Sequence, residues 1–112
     1  MTATTQDYGP LKPDIFQILL ALEAGPLHGY GIIESVEART RSQQKLLPSL
    51  LYRRLARLVE GEVVRIVNVP DDPDPRRKHY ELTDLGRAVV RAEAERIVEL
   101  GRALESYRWS GS

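Results

Sequence analysis

Apolar positions recur at helical spacing three times in the first sixty residues, give way to a β-branched run, and return to helical spacing towards the C-terminus. Ile15, Leu19 and Leu22 fall at i, i+4 and i+7, with Phe16 and Leu20 widening the stripe, which predicts a helix over 13–24. Pro13 suits its first position, Asp14 its positive end, and Gly25-Pro26 stops it. A second helix is expected from His28 or Gly29 to about Arg39, burying Ile32, Ile33 and Val36. Its glycines Gly29 and Gly31 each cost roughly 1 kcal/mol relative to Ala, so a close helix–helix approach is their expected use. After a polar connection over 40–47, Pro48 opens a third helix reaching about Glu60. Leu51, Leu55 and Leu58 form its buried stripe, while Leu50, Arg53, Arg54 and Arg57 repeat the spacing on another face.

Beyond Gly61 the period moves towards two. Val63 to Val69 is nearly all β-branched and predicts a strand; the proline- and aspartate-rich segment 70–75 is a loop tip; Lys78 to Leu82 is the returning strand. Alternation there places Lys78, Tyr80 and Leu82 on one face and His79 and Glu81 on the other. Thr83 is a natural cap for a last helix running to about Tyr107. Ile97, Leu100, Leu104 and Tyr107 step by +3, +4 and +3, a seam spacing, with Val90 and Ala94 further up the same helix. An exposed stripe of that kind marks an interface, and the expected occupant is a second copy of the chain. The predicted fold is mainly α with a small antiparallel β-hairpin. Residues 1–10 form a flexible tail, 11–83 a globular unit and 84–108 the dimerisation helix.

Charge changes the picture. The chain is formally neutral, with 16 basic and 16 acidic residues, yet Arg39, Arg41, Lys45, Arg53, Arg54 and Arg57 lie in one stretch without a carboxylate. Such a block repels itself unless an anionic partner compensates, and the usual partner is phosphate. A second basic knot, Arg76-Arg77-Lys78, follows the loop tip. Basic surfaces on a third helix and beside a β-turn are what a winged helix-turn-helix presents to double-stranded DNA. Arg76, Arg77 and Lys78 have a blander use, balancing Asp71, Asp72 and Asp74 across the hairpin tip.

Other chemistries find little footing. There is no Cys, so disulfides and thiolate chemistry are excluded, and with only His28 and His79 a zinc site would lean on carboxylates. No phosphate-binding glycine loop, nucleophile elbow or paired His–carboxylate motif occurs, so neither an enzyme nor a cofactor is expected. His28 is expected to bond locally at its helix start, and His79 to point outward without a role. No apolar run approaches the roughly 20 residues needed to cross a bilayer and no signal peptide is visible, so the expectation is a cytoplasmic protein with no membrane partner.

The chain resembles the PadR-like transcriptional regulators. The likeness lies in Ile18-Leu19-Leu20-Ala21-Leu22, Gly25-Pro26-Leu27-His28-Gly29-Tyr30-Gly31-Ile32-Ile33-Glu34, Leu47-Pro48, Leu51-Tyr52, Leu55 and Arg57-Leu58, then Arg76-Arg77-Lys78-His79-Tyr80 and Leu82-Thr83-Asp84-Leu85-Gly86. It spans about residues 11–90. The resemblance implies a homodimeric winged helix-turn-helix repressor. Its third helix would enter the major groove, its hairpin wing would touch the backbone or minor groove, and its terminal helix would dimerise. The single C-terminal helix is similar to the compact branch of that family, some of whose members bind flat aromatic or drug-like effectors between protomers, at positions near Ile97 here. Two departures stand out. Ser49 and Leu50 replace the family's Gly and Thr or Ser, so Leu50 either meets a thymine methyl or packs inward; and Gly61 falls one residue early, with Glu62 in the usual glycine slot.

The expected DNA-binding set is Lys45, Ser49, Leu50, Tyr52, Arg53, Arg54, Arg57, Arg76, Arg77 and Lys78. The expected dimer set is Val90, Ala94, Ile97, Leu100, Leu104 and Tyr107. The competing reading is a winged-helix protein-interaction module whose basic face meets an acidic partner without specific DNA binding. Salt separates the two, because neutralising phosphates makes affinity fall steeply as salt rises.

Overall fold

The computed structural model describes residues 9–43 and 45–109; most of the expected N-terminal tail lies outside them. Helix α1 (Pro13–Leu22) is followed by a two-residue strand β1 (Leu27–His28) and by α2 (Gly29–Thr40). Helix α3 (Pro48–Glu60) leads to β2 (Val64–Val67), β3 (His79–Leu82) and the long α4 (Asp84–Glu105). The helix ends fall where local chemistry put them. Pro13 and Pro48 open α1 and α3, and the Thr83 hydroxyl accepts the Gly86 N–H at the start of α4. The three amphipathic stripes converge on one core: Ile18, Leu19, Ile32, Val36, Leu51 and Leu55 meet Val63, Val64, Leu82 and Val90.

The expected hairpin is the larger part of a three-stranded antiparallel sheet in the order β1-β3-β2. β1 pairs Leu27 with Tyr80 and His28 with His79; β2 pairs Ile66 with Tyr80 and Val67 with His79. Two residues are too few for periodicity to announce, so the sequence reading had no β1. With β1 on its far edge, β3 is the central strand.

The shifted glycine is accommodated at the α3–β2 junction. Glu62 itself takes the left-handed conformation at φ 61°. The Val63 N–H returns to the Leu58 carbonyl, and the Thr83 hydroxyl donates to the Glu62 carbonyl at 2.5 Å. A non-glycine residue held left-handed costs roughly 1–2 kcal/mol, which these bonds offset.

Glu93 lies on the charge-rich helix α4, yet only 4% of its surface is exposed. One carboxylate oxygen accepts the Leu11 N–H at 3.1 Å, and Arg96 forks onto both oxygens at 2.7 and 2.9 Å. The bonds from Arg96 chiefly, with Leu11 adding and burial opposing, hold its pKa below the ordinary glutamate value of 4.5. A carboxylate depressed on folding contributes stability that is complete above its unfolded pKa and lost as pH falls through the folded one. Glu93→Gln should therefore lower the melting temperature at pH 7 and flatten its decline below about pH 4.5, measured by circular dichroism across that acid range. A variant with the parent's acid profile would remove Glu93 as the staple between α4 and residue 11.

Candidate nucleic-acid interface

On α3 the apolar stripe is fully used, Leu51, Leu55 and Leu58 being buried, and the opposite side carries Tyr52, Arg53 and Arg57 into solvent. Ser49 is exposed in the first turn and Lys45 just before it. Two of the expected contact residues sit elsewhere. Leu50 is half-buried, part of its side chain packing against the core. Arg54 turns to α1, where its Nε donates to Asp14 Oδ2 at 2.8 Å with both side chains largely covered. Arg53 and Arg57 flank this pair, and with Lys12 they wall a groove of about 410 Å³ floored by Ile15 and Leu58. Arg39 is also engaged, donating to Gln17 Oε1 at 2.8 Å and Ser35 Oγ at 3.1 Å.

The wing presents Arg76, Arg77 and Lys78, all exposed. Two of the loop aspartates are engaged in distinct ways. Asp74 accepts the Arg76 N–H at 3.0 Å and so shapes the turn, while its contact to the Arg76 guanidinium is a loose 3.4 Å on a side chain that is 90% exposed. Asp72 points inward to His79, Oδ2 to Nε2 3.0 Å, with both side chains buried. That corrects the sequence reading of His79 as outward-facing. Alternation assumes one covered face, whereas the ring of His28 lies edge-on against His79 at 5.5 Å and covers the other. Nothing in the spacing of Asp72 and His79 signalled the pair. Asp72 is therefore not available to neutralise the wing cations, and the simple balancing role set out for them loses one of its three carboxylates.

Between α2, α3 and the wing lies a cleft of about 610 Å³ lined by Tyr30, Tyr52, Tyr80, Arg76, Arg77 and Lys78, with His28, Gly29 and Glu34. Gly29 lets the Tyr52 ring lie close against the start of α2, since a Cβ there would overlap it. Burial, and secondarily Tyr52, raises the Tyr80 phenol above its ordinary 10.0, so it stays neutral. His28 caps α2, its Nδ1 accepting the Gly31 N–H at 3.1 Å, as the local-bonding expectation had it. The cleft thus joins a cationic wing to Tyr52 on the exposed side of α3.

Along α4 the expected stripe divides. Val90 is 1% exposed and belongs to the chain's own core, which corrects its place in the exposed set, and Ala94 is half-buried. Ile97, Leu100, Leu104 and Tyr107 are exposed, together with Val98, which the seam spacing passed over. The rings of Tyr107 and Trp109 pack at 4.7 Å. Among the described residues, no helix is long and apolar enough to cross a membrane.

Residues 18–92 match the Transcriptional regulator PadR-like family. An uncharacterized 37.1 kDa protein in transposon TN4556 of Streptomyces fradiae is 39% identical over 90 residues, 80% of this chain but only 24% of that protein. The chain therefore spans about a quarter of the length of that relative. Among solved structures, a PadR family transcription regulator from Clostridium difficile aligns with a TM-score of 0.69 at 22% identity, covering 81% of this chain and 93% of the other. Bacillus subtilis PadR in complex with operator DNA aligns with a TM-score of 0.61 at 20% identity, covering 80% and 49% respectively. At these identities the solved structures establish the winged-helix fold.

Proposed function

The chain belongs to the PadR-like family of transcriptional regulators, and from that premise we propose that it is a sequence-specific repressor that binds a near-palindromic operator as a homodimer. The observation that carries this reading is the pair of exposed cationic surfaces, Arg53 and Arg57 on α3 and Arg76, Arg77 and Lys78 on the wing, with Tyr52 in the cleft beside the wing; Asp14 and Asp72 are taken up by Arg54 and His79, and Asp74 meets the Arg76 guanidinium only loosely. The family's PadR from Bacillus subtilis, crystallised with operator DNA, supports it. Residues 11–83 are the DNA-binding unit and 84–108 the dimerisation helix of a cytoplasmic protein. Arg57 and Arg53 enter the major groove, Lys45, Ser49 and Tyr52 meet flanking phosphates, and the wing supplies sequence-independent affinity. Arg54 acts through Asp14, setting the angle of α3 rather than touching bases. A flat aromatic effector would sit between protomers near Ile97 and change the spacing of the two recognition helices, about 34 Å in the bound state.

The test begins with a footprint on the DNA upstream of the protein's own gene, followed by titrations at several salt concentrations. Arg57→Ala should cost roughly 1–3 kcal/mol at the specific site and little on random duplex. Arg76→Ala with Arg77→Ala should weaken both by similar factors and flatten the salt slope by about two at most. Unchanged operator affinity in Arg53→Ala and Arg57→Ala, both folded, would sink the groove assignment. Binding indifferent to salt would favour the protein-interaction module instead.

A further inference from the structure

We propose that His28 is a phosphate ligand, donating from Nε2 jointly with Arg77 to one backbone phosphate of the DNA in the cleft between α2 and the wing. The proposal rests on the DNA-binding reading above. It comes from a proton count. Nδ1 of His28 accepts the Gly31 N–H at 3.1 Å, so it carries no hydrogen, and the neutral ring must hold its proton on Nε2. Arg77 Nη1 lies 3.4 Å from that same Nε2. A guanidinium only donates. Two donors therefore face each other with no acceptor between them, and the structure offers them little internal relief. Asp72 is bound to His79 and Asp74 shapes the turn; Glu34 is the one carboxylate that lines the cleft.

An oxyanion placed between the two groups would accept from both. The imidazole is already aimed, its backbone paired with His79 in the sheet and its ring edge-on to the His79 ring at 85°. The surrounding Arg76, Lys78 and Tyr52 match a charged oxygen cluster with more than one acceptor. Because His28 is neutral, it adds a hydrogen bond at the phosphate without adding a charge, and this sets it apart from every other wing contact.

Long-range proton–nitrogen spectra of the wild-type protein test the tautomer, first alone and then with a 20-base-pair random-sequence duplex. The expected result is an unprotonated Nδ1 and a Nε2–H that shifts and exchanges more slowly at saturating duplex. His28→Asn keeps the cap, since asparagine is a favoured N-cap residue, but its shorter amide stops short of Arg77. Its affinity for the duplex should fall about tenfold, the loss of one hydrogen bond to a charged group, with the salt slope unchanged. Arg77→Ala should weaken binding and flatten the slope by about one. A proton on Nδ1, a Nε2–H indifferent to duplex, or full affinity in folded His28→Asn overturns the proposal. So does inorganic phosphate at low millimolar concentration reproducing the whole shift, which would assign the site to a free anion. Should His28→Asn unfold, the wild-type spectra decide alone. A wild type that binds no duplex at all overturns the DNA-binding reading itself, and is distinguishable because the tautomer is read before DNA is added.

Discussion

Replacing Leu100 and Leu104 together with glutamate should leave a folded monomer whose operator affinity is lower by about 10²–10⁴-fold, the factor by which linked binding exceeds single-site binding. Both leucines are exposed in the single chain, as are Ile97, Val98 and Tyr107, so the substitution removes no contact within the domain core. The buried part of α4 ends near Glu93, and every described residue from Glu95 onward is exposed. The helix therefore carries about three turns of apolar stripe into solvent, and a second α4 packed at seam spacing is the covering that the sequence pattern calls for. Two linked domains pay the entropy of locating the DNA once, and a monomer loses that advantage at both half-sites. Light scattering gives the oligomeric state and anisotropy titration the affinity. A wild type that stays monomeric at tens of micromolar with operator present would dispose of the seam and of the half-site spacing together.

Gly86→Ala should destabilise the fold by roughly 3 kcal/mol or more, at the upper end of what overpacking costs. The added methyl would stand on the carbonyl oxygen of Val63, a backbone atom that cannot swing aside as a flexible side chain can. That carbonyl already accepts the Thr83 N–H at 3.1 Å, while the Thr83 hydroxyl proton goes to the neighbouring Glu62 carbonyl. Relief of the clash would have to separate α4 from the start of β2, breaking the latch that holds Glu62 in its left-handed turn. For a domain whose total stability is of the order of 5–15 kcal/mol, this is a large fraction. Gly101→Ala is the matching control: a methyl there meets nothing within 4 Å, and the helix should gain about 0.5–1 kcal/mol in the monomer. Urea unfolding measures both. A Gly86→Ala domain within 1 kcal/mol of the parent would mean that the two elements do not approach as closely as described.

How much of this was legible follows from the range of each interaction. Pro13, Pro48 and Thr83 mark helix starts because the missing N–H and the capping hydroxyl act within one turn. The core was legible for a related reason. Leu51, Leu55 and Leu58 must share a face on any α-helix, and burying that face is the strongest favourable term available. The two cationic surfaces were visible as charge runs, since a local excess of arginine needs no tertiary knowledge to count. Periodicity states which face of an element is apolar, but not what will cover the other. Arg54 is drawn from the DNA-facing set by Asp14, forty residues away; Glu93 is buried by the chain near Leu11; and His79 is enclosed by His28 and Asp72. Each is a polar group whose desolvation is tolerated only because a specific distant partner bonds to it. The stripe on α4 shows the same division, with Val90 spent on the chain's own core and Leu100 left exposed by where the domain ends beneath the helix. The sequence alone thus determined the elements, their apolar faces and the cationic character of the chain. Which polar side chains remain available to a ligand was decided only by the tertiary structure, because that depends on pairings between residues far apart in sequence.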